Sequence, residues 1–173
     1  RFTELGYVCV NLTYRTPRPQ GLPIYQSAWQ DGQRAVRLIR RAAKDRGFDP
    51  EKLGALGFSA GSHMTMLLGT SSQTPAYQPI DELDKLPCHI NLAIPVYTAY
   101  ALTDGLTGRN TRDGDGIDVK LSDVFKFDAN TCPMALFHGG TDVYSPNGSI
   151  QIYRELRRMN IPAEIHLFAD RGH

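Results

Sequence analysis

The stretch LGALGFSAGSHMTM, from Leu53 to Met66, decides how the rest of the chain is arranged. It opens with an apolar run typical of a short strand, and after Gly61 its apolar residues recur at helical spacing. The pentapeptide GFSAG, Gly57 to Gly61, therefore lies where a strand turns sharply into a helix. A serine in such a turn needs glycine two places to either side, because a side chain there would clash with the adjoining strand or helix. The pattern is typical of a nucleophile elbow.

Ser59 stands at the centre of this turn and is the candidate nucleophile. The turn pushes its hydroxyl out of the fold, at the N-terminus of the predicted helix. The backbone N–H of Ala60, with the helix dipole behind it, is placed to receive the negative charge that develops on a carbonyl oxygen when Ser59 attacks. The alternative interpretation is a serine in an ordinary glycine-rich turn, since the pentapeptide also arises by chance.

The composition indicates a globular protein whose partners are not chosen by bulk charge. Of the 173 residues, 41% are hydrophobic and 21% charged, and the net charge is +1, which argues against nucleic acid or an anionic membrane as the main partner. No apolar run approaches the roughly 18 residues of a membrane-spanning helix. The cysteines lack metal or CxxC spacing and lie in or beside apolar stretches, so we expect three buried thiols: Cys9, Cys88 and Cys132.

Apolar strands alternate with amphipathic helices along the chain, which predicts one α/β domain with a mostly parallel sheet. Five strands are predicted: Gly6–Tyr14, Leu53–Phe58, Ile90–Tyr97, Pro133–His138 and Ala163–Phe168. Two helices flank the elbow unit, one from Ser27 to Arg46 and one from Asn147 to Met159.

The first long helix has recognisable ends and two distinct faces. Ser27 is its predicted N-cap, and Gly47 closes it. Its predicted inner face is apolar and consists of Ala35, Leu38, Ile39 and Ala42. Its other face is basic and is interpreted as solvated rather than as a polyanion site: Arg34, Arg37, Arg41 and Lys44. One side of the second helix is predicted to carry Ile150, Tyr153, Leu156 and Arg157.

The segment Thr98–Asp128 has little periodicity and many Gly and Asp residues, and is predicted to be a flap over a site or an excursion with short helices. Within it, Asp113–Asp118 is similar to a calcium-binding loop but lacks the closing glutamate. A solvated acidic turn is the favoured interpretation, and no metal is predicted.

Three candidate catalytic residues each follow a predicted strand, where the ligand crevice of an open α/β sheet lies. Ser59 follows its strand directly, while Asp142 and His173 come four and five residues after theirs. In this order His173 would act as general base and then acid, and Asp142 would fix the imidazole tautomer. Taken singly, Asp142 also fits a turn residue and His173 a frayed terminal residue. The remaining histidines are interpreted as structural: His63, His89, His138 and His166.

These motifs resemble those of the α/β-hydrolase superfamily, and within it the small acetylxylan-esterase-like and feruloyl-esterase-like serine esterases. The matching segments span most of the chain: Gly6–Arg15, Gln30–Ala35, Gly57–His63, His138–Asp142 and Pro162–His173. The resemblance implies a three-layer fold and hydrolysis of short acyl esters, often acetyl groups on plant polysaccharides, through an acyl-enzyme and without a cofactor. It also favours a secreted or periplasmic protein. The tyrosines near strand ends then either line the pocket or serve packing: Tyr97, Tyr100 and Tyr144.

The chain also departs from that family pattern. No glycine-rich oxyanion loop precedes the first strand, five strands stand where eight are usual, no helix follows His173, and Ser62 replaces a frequent glycine. We therefore expect residues 1–173 to be a single domain truncated at both ends, with the second oxyanion donor outside this chain. The alternatives are a peptidase of the prolyl-oligopeptidase type and a non-catalytic, hydrolase-like binding module.

Overall fold

The computed structural model describes residues 2–16, 20–103 and 120–173. Over these ranges the strands are β1 (Gly54–Phe58), β2 (Leu92–Val96), β3 (Met134–Gly139) and β4 (Ala163–Phe168). The helices are α1 (Gln26–Arg46), α2 (Ala60–Thr70) and α3 (Asn147–Arg158), with short 3₁₀ helices at Thr3–Leu5 and Glu82–Lys85. No helix within the described ranges is long and apolar enough to cross a membrane.

The strands form a parallel sheet in the order β1-β2-β3-β4, which confirms the predicted α/β class. Its register aligns the carboxyl ends of all four strands. Phe58 pairs with Val96, Val96 with Phe137, and Gly139 with Phe168. The residues that follow the strands therefore meet at one edge of the sheet, where the sequence places the candidate catalytic groups.

The predicted strand at Gly6–Tyr14 does not form. The structure assigns no strand to residues 7–16, and Tyr7, Val8 and Val10 are more than half exposed. A strand needs a neighbour for its N–H and C=O groups, so β propensity alone does not make one. β1 is the outermost strand on this side, and the described sheet has four strands rather than five. The predicted burial is consequently wrong for Cys9, which is exposed, and confirmed for the other two cysteines.

Helix α1 turns a different face to the core than its spacing predicted. Leu38 is 43% exposed, whereas Gln33 and Arg40 are buried. The Gln33 amide donates to the Thr74 carbonyl and accepts from the Ala76 N–H, and Arg40 donates to backbone carbonyls. Hydrogen bonds to backbone groups offset much of the cost of burying these two polar side chains, although Arg40 Nε has no partner among the described residues. Hydrophobicity alone therefore predicted the wrong face.

The ends of α1 were predicted with mixed success. The helix begins at Gln26, so Ser27 lies inside its first turn and is not the N-cap. Gly47 closes the helix in the left-handed conformation, with φ of 72°, as predicted.

The basic face of α1 is only partly solvated. Arg41 and Lys44 are exposed as predicted. Arg34 instead pairs with Asp81 and Asp84, and Arg37 donates to the Tyr77 hydroxyl and the Leu86 carbonyl. These two arginines therefore fasten the segment that follows α2 onto α1.

The core lies between the sheet and the helices. Its completely buried apolar side chains include Met66, Leu67, Leu136, Ile152 and Leu156. α2 is buried from Ser62 to Thr70 with the exception of Met64, because it packs against β1, β2 and α1. On α3, Ile152 and Leu156 are buried, whereas Arg157 is exposed.

The predicted flap is described only in part. Leu102 and Leu121 form an antiparallel bridge, and the Ser122 N–H donates to the Ala101 carbonyl. Residues 104–119, which include the predicted acidic turn Asp113–Asp118, lie outside the described residues. Elsewhere in the described chain no group of three or more His, Cys, Asp or Glu side chains is arranged to hold a metal ion.

Candidate active site

Ser59 lies between β1 and α2 in a strained backbone conformation, with φ of 54° and ψ of −119°. A Cβ added at Gly57 would collide with the Gly61 carbonyl and the Thr65 hydroxyl, so glycine is required there as predicted. At Gly61 the predicted clash is not found, because a Cβ would meet only the Tyr14 hydroxyl at 3.6 Å. The elbow therefore depends on one glycine for space.

Hydrogen bonds hold the elbow against the loop that follows β2. The Ser59 N–H donates to the Val96 carbonyl at 3.1 Å, and the Ala99 N–H lies 3.4 Å from the Ser59 carbonyl. The buried Ser62 and Thr98 hydroxyls are 2.6 Å apart. Ala60 is exposed as the first residue of α2, where N–H groups have no partner within a helix.

Asp142 is fully buried in the loop that follows β3. One of its oxygens, Oδ1, accepts from the Tyr144 N–H at 2.8 Å, and its own N–H donates to the Gly139 carbonyl at 3.2 Å. A Cβ at Gly139 would collide with the backbone carbonyl of Arg171. The loops after β3 and β4 are thus in direct backbone contact.

His173 joins Asp142 to Ser59. Its Nδ1 lies 3.0 Å from each Asp142 oxygen, and its Nε2 lies 2.7 Å from Ser59 Oγ. A carboxylate only accepts hydrogen bonds, so Nδ1 carries the proton and Nε2 is left to accept the Ser59 hydroxyl proton. The structure therefore brings together the three residues that the sequence placed after three different strands.

Aromatic rings surround this histidine. The centroids of the Tyr97 and Tyr144 rings lie 4.6 and 5.5 Å from the His173 ring, and Tyr100 lies 5.6 Å from Tyr144. Tyr97 and Tyr100 have positive φ angles of 39° and 57°, an uncommon conformation for residues with bulky side chains. Burial, followed by contact with Tyr100, raises the pKa of Tyr144 to about 12. Of the two interpretations left open for these tyrosines, this placement favours the pocket.

A cavity of about 170 Å³ lies beside Ala60. Sequence reasoning missed two parts of its wall. Tyr14, Arg15 and Thr16 line one side, but their segment was predicted only as the end of a strand and the start of a loop. Arg15 fixes this side through its backbone N–H and guanidinium, which both bind the Asp31 carboxylate.

His63 lines the same cavity, although it was interpreted as structural. Its ring packs against those of Tyr25 and Phe125, at 5.0 and 5.2 Å, and its Nε2 has no hydrogen-bond partner among the described residues. Burial lowers its pKa to about 3, so the imidazole is neutral. Its place in the first turn of the helix that follows Ser59 was the sequence signal for this position.

The three other histidines lie away from the Ser59 hydroxyl. His138 is buried in β3, and His166 stacks on the Phe137 ring at 4.8 Å. The His89 carbonyl accepts from buried Arg40.

Comparison with known proteins shows which family the chain belongs to. The family model described as BD-FAE matches residues 1–156. The esterase LipQ of Mycobacterium tuberculosis is 32% identical over 105 residues, which are 60% of this chain and 24% of that protein. The endo-1,4-beta-xylanase B of Butyrivibrio fibrisolvens is 29% identical over 178 residues, 96% of this chain and 27% of that one. The chain thus spans about a quarter of the length of these curated relatives.

Solved structures share the fold. An acetyl ester-xyloside bifunctional hydrolase from Caldicellulosiruptor lactoaceticus superposes with a TM-score of 0.70 at 22% identity, covering 90% of this chain and 60% of that one. The apo form of Thermogutta terrifontis esterase 2 gives 0.70 at 19% identity, covering 93% and 60%. An α/β hydrolase from a Medee basin deep-sea metagenome gives 0.58 at 23%, covering 85% and 50%. The resemblance to α/β hydrolases is confirmed.

Proposed function

Because the chain belongs to the BD-FAE family, we propose that it is a serine esterase that hydrolyses short-chain carboxylic esters with Ser59, His173 and Asp142. The observation that carries this proposal is the bridging position of His173, 2.7 Å from Ser59 Oγ and 3.0 Å from the Asp142 oxygens. Two curated relatives of this chain, named as an esterase and a probable carboxylic ester hydrolase, support the same reaction class.

In the first half of the reaction, His173 Nε2 takes the Ser59 proton while Oγ attacks the ester carbonyl. The buried Asp142 carboxylate stabilises the imidazolium that forms. Negative charge collects on the former carbonyl oxygen, and the backbone N–H of Ala60, an exposed residue at the N-terminus of α2, stabilises it. His173 then protonates the leaving alcohol, and the acyl group stays on Ser59.

In the second half, a water molecule attacks the acyl carbonyl and gives its proton to His173 Nε2. The tetrahedral intermediate collapses, the carboxylic acid leaves, and the proton returns to Ser59 Oγ. These two half-reactions balance without a redox step, because His173 passes on each proton that it accepts.

The size of the cavity beside Ala60 favours a substrate with a small substituent on one side of the ester. Its volume of about 170 Å³ lies well below the roughly 300–1,000 Å³ of pockets for drug-sized ligands. A relative named as a xylanase, aligned with 96% of this chain, supports an ester carried on a carbohydrate. We include acetyl esters of polysaccharides within the proposal for these reasons.

Labelling with a fluorophosphonate, read by intact-mass spectrometry, tests the proposal directly. The chain is expected to gain one adduct at Ser59, and Ser59→Ala is expected to gain none. Ser72→Ala is a matched control, because among the described residues the Ser72 hydroxyl makes only long polar contacts, both at 3.5 Å: it donates to Asp128 and accepts from Asn130. It should label like the wild type.

The outcomes separate the proposal from its alternatives. An unlabelled but folded chain that still binds a carbohydrate ester would indicate a hydrolase-like binding module. A labelled chain that cleaves peptides faster than acetyl esters would indicate a peptidase of the prolyl-oligopeptidase type. Labelling of Ser59→Ala at the wild-type level would show that Ser59 is not the nucleophile.

A further inference from the structure

His138 is a buried imidazole that the proposed reaction does not use. It is the second-last residue of β3, and its side chain is completely inaccessible to solvent. Burial lowers its pKa, so the ring is neutral and its approach to Asp142 is not an ion pair. A neutral buried imidazole has one donor and one acceptor, and both need a partner.

The partners of His138 fix its tautomer. Nε2 lies 3.2 Å from the Tyr144 carbonyl, which can only accept, so Nε2 carries the proton. Nδ1 is then the acceptor, and the buried Ser149 hydroxyl donates to it at 2.8 Å. The ring thus connects β3, the loop that carries Asp142, and the first turn of α3.

The same Nε2–H faces the carboxylate of Asp142. It lies 4.0 Å from Oδ2, while Oδ1 accepts from the Tyr144 N–H at 2.8 Å. Residue 144 is therefore held on both sides, its carbonyl by His138 and its N–H by Asp142. Both carboxylate oxygens also lie 3.0 Å from His173 Nδ1, so a shift of this loop would move the carboxylate away from the base.

We propose that His138 is a positioning residue, whose Nε2–H, through the Tyr144 carbonyl, holds the Asp142 carboxylate against His173. Its effect on rate rests on the proposed function, whereas its effect on the hydrogen bond between Asp142 and His173 does not. Misplacing a catalytic group by about 1 Å can cost about 10²-fold in rate.

Two amide substitutions distinguish the effect of the Nε2 hydrogen-bond donor from the effect of side-chain size. His138→Gln can place an amide N–H where Nε2 stood. His138→Asn reaches only as far as Nδ1 and leaves the Tyr144 carbonyl without a donor. We expect the Asn variant to lose about 10²-fold in the rate of fluorophosphonate labelling, and the Gln variant to stay within about tenfold of wild type, the scale of one imperfect hydrogen bond. His166→Gln is the matched control, because its ring is 48% exposed on β4.

Proton NMR of the histidine ring N–H groups gives a readout that does not depend on turnover. The proton on His173 Nδ1 is expected as a slowly exchanging downfield resonance in wild type and in His138→Gln, and to be broadened or lost in His138→Asn. If the wild type is not labelled by the fluorophosphonate but the three proteins show these differences in the His173 resonance, the proposed function is overturned and the positioning role is supported. Equal behaviour of the Gln and Asn variants, in labelling and in this resonance, would overturn the positioning role.

Nitrogen NMR of wild type covers the case in which neither variant folds. ¹⁵N-labelled histidine should show His138 protonated on Nε2 and unprotonated on Nδ1 at neutral pH. The opposite tautomer, or a charged ring, would remove the donor to Tyr144 and overturn the proposal.

Discussion

Asp84 is expected to stabilise the fold through an almost fully buried carboxylate. Its side chain is 2% exposed and lies 3.0 Å from the Arg34 guanidinium and 3.6 Å from that of Arg37. It also accepts from the Tyr77 hydroxyl and, at 2.9 Å, from the Ile80 N–H. Asp84→Asn keeps the size of the side chain but removes the charge on which all these donors converge.

The magnitude follows from the pKa of the Asp84 carboxyl. Burial alone would raise it, but the hydrogen bonds from Tyr77, Ile80 and Arg34 outweigh burial and lower it from 3.8 to about 2. A difference of that size between folded and unfolded chains contributes about 2 kcal/mol to the free energy of unfolding at neutral pH. Because the folded pKa is the lower one, this contribution is present above about pH 4 and is lost as the pH falls through about 2.

Urea unfolding of wild type and Asp84→Asn at pH 7, 4 and 2.5 measures this directly. The variant should be about 2 kcal/mol less stable at pH 7, and the difference should shrink at pH 2.5. Glu82→Gln is the matched control on the same short 3₁₀ helix, because its side chain is 86% exposed and pairs with Lys85, which is exposed too. It should change stability by less than about 0.5 kcal/mol. A difference for Asp84→Asn that is equally small, or constant with pH, would refute the reasoning.

Three further substitutions test the candidate site. Asp142→Asn should lower kcat for an acetyl ester by about 10⁴-fold, because an amide no longer selects the His173 tautomer with the proton on Nδ1; a loss below tenfold would contradict that role. Gly139→Ala should lower the labelling rate at least about 10²-fold, since its methyl group has only backbone of the facing loop to displace; wild-type labelling would show that the loops separate without cost. Asp31→Ala should raise KM with kcat nearly unchanged, because it frees Arg15 and the cavity wall beside it; an equal fall in kcat would place that wall in the chemistry.

The geometry of the candidate site was predictable because it depends on local signals and on one topological rule. The spacing Gly57-x-Ser59-x-Gly61 marks the turn, and the ends of parallel strands meet at one edge, so residues shortly after them converge. Asp142 and His173 needed no further information. The register that aligns the four strand ends is the physical reason that the rule applied to this chain.

The errors arose where a residue's environment depends on distant partners. Gln33 and Arg40 are buried because backbone carbonyls far along the chain accept their hydrogen bonds. The local sequence pattern of α1 does not predict those partners. The strand predicted around Cys9 failed for the converse reason, since its apolar composition was right but no strand among the described residues pairs with it. Local composition predicts which secondary structure a segment can adopt. Whether the segment adopts it depends on the residues that it contacts elsewhere in the fold.

The candidate site has two parts that are held in place by different kinds of contact. Asp142 and the elbow are held by buried hydrogen bonds and by backbone contacts at Gly57 and Gly139, which leave little room to move. The wall at Tyr14–Thr16 is held by Arg15 and Asp31, and the Arg15 side chain is 61% exposed. An ion pair with one exposed partner is a weaker restraint than buried hydrogen bonds and backbone contacts, so this wall is held less firmly than Asp142 and the elbow. Substrate range should therefore vary with substitutions around Arg15, whereas the reaction itself should depend on the buried groups behind His173.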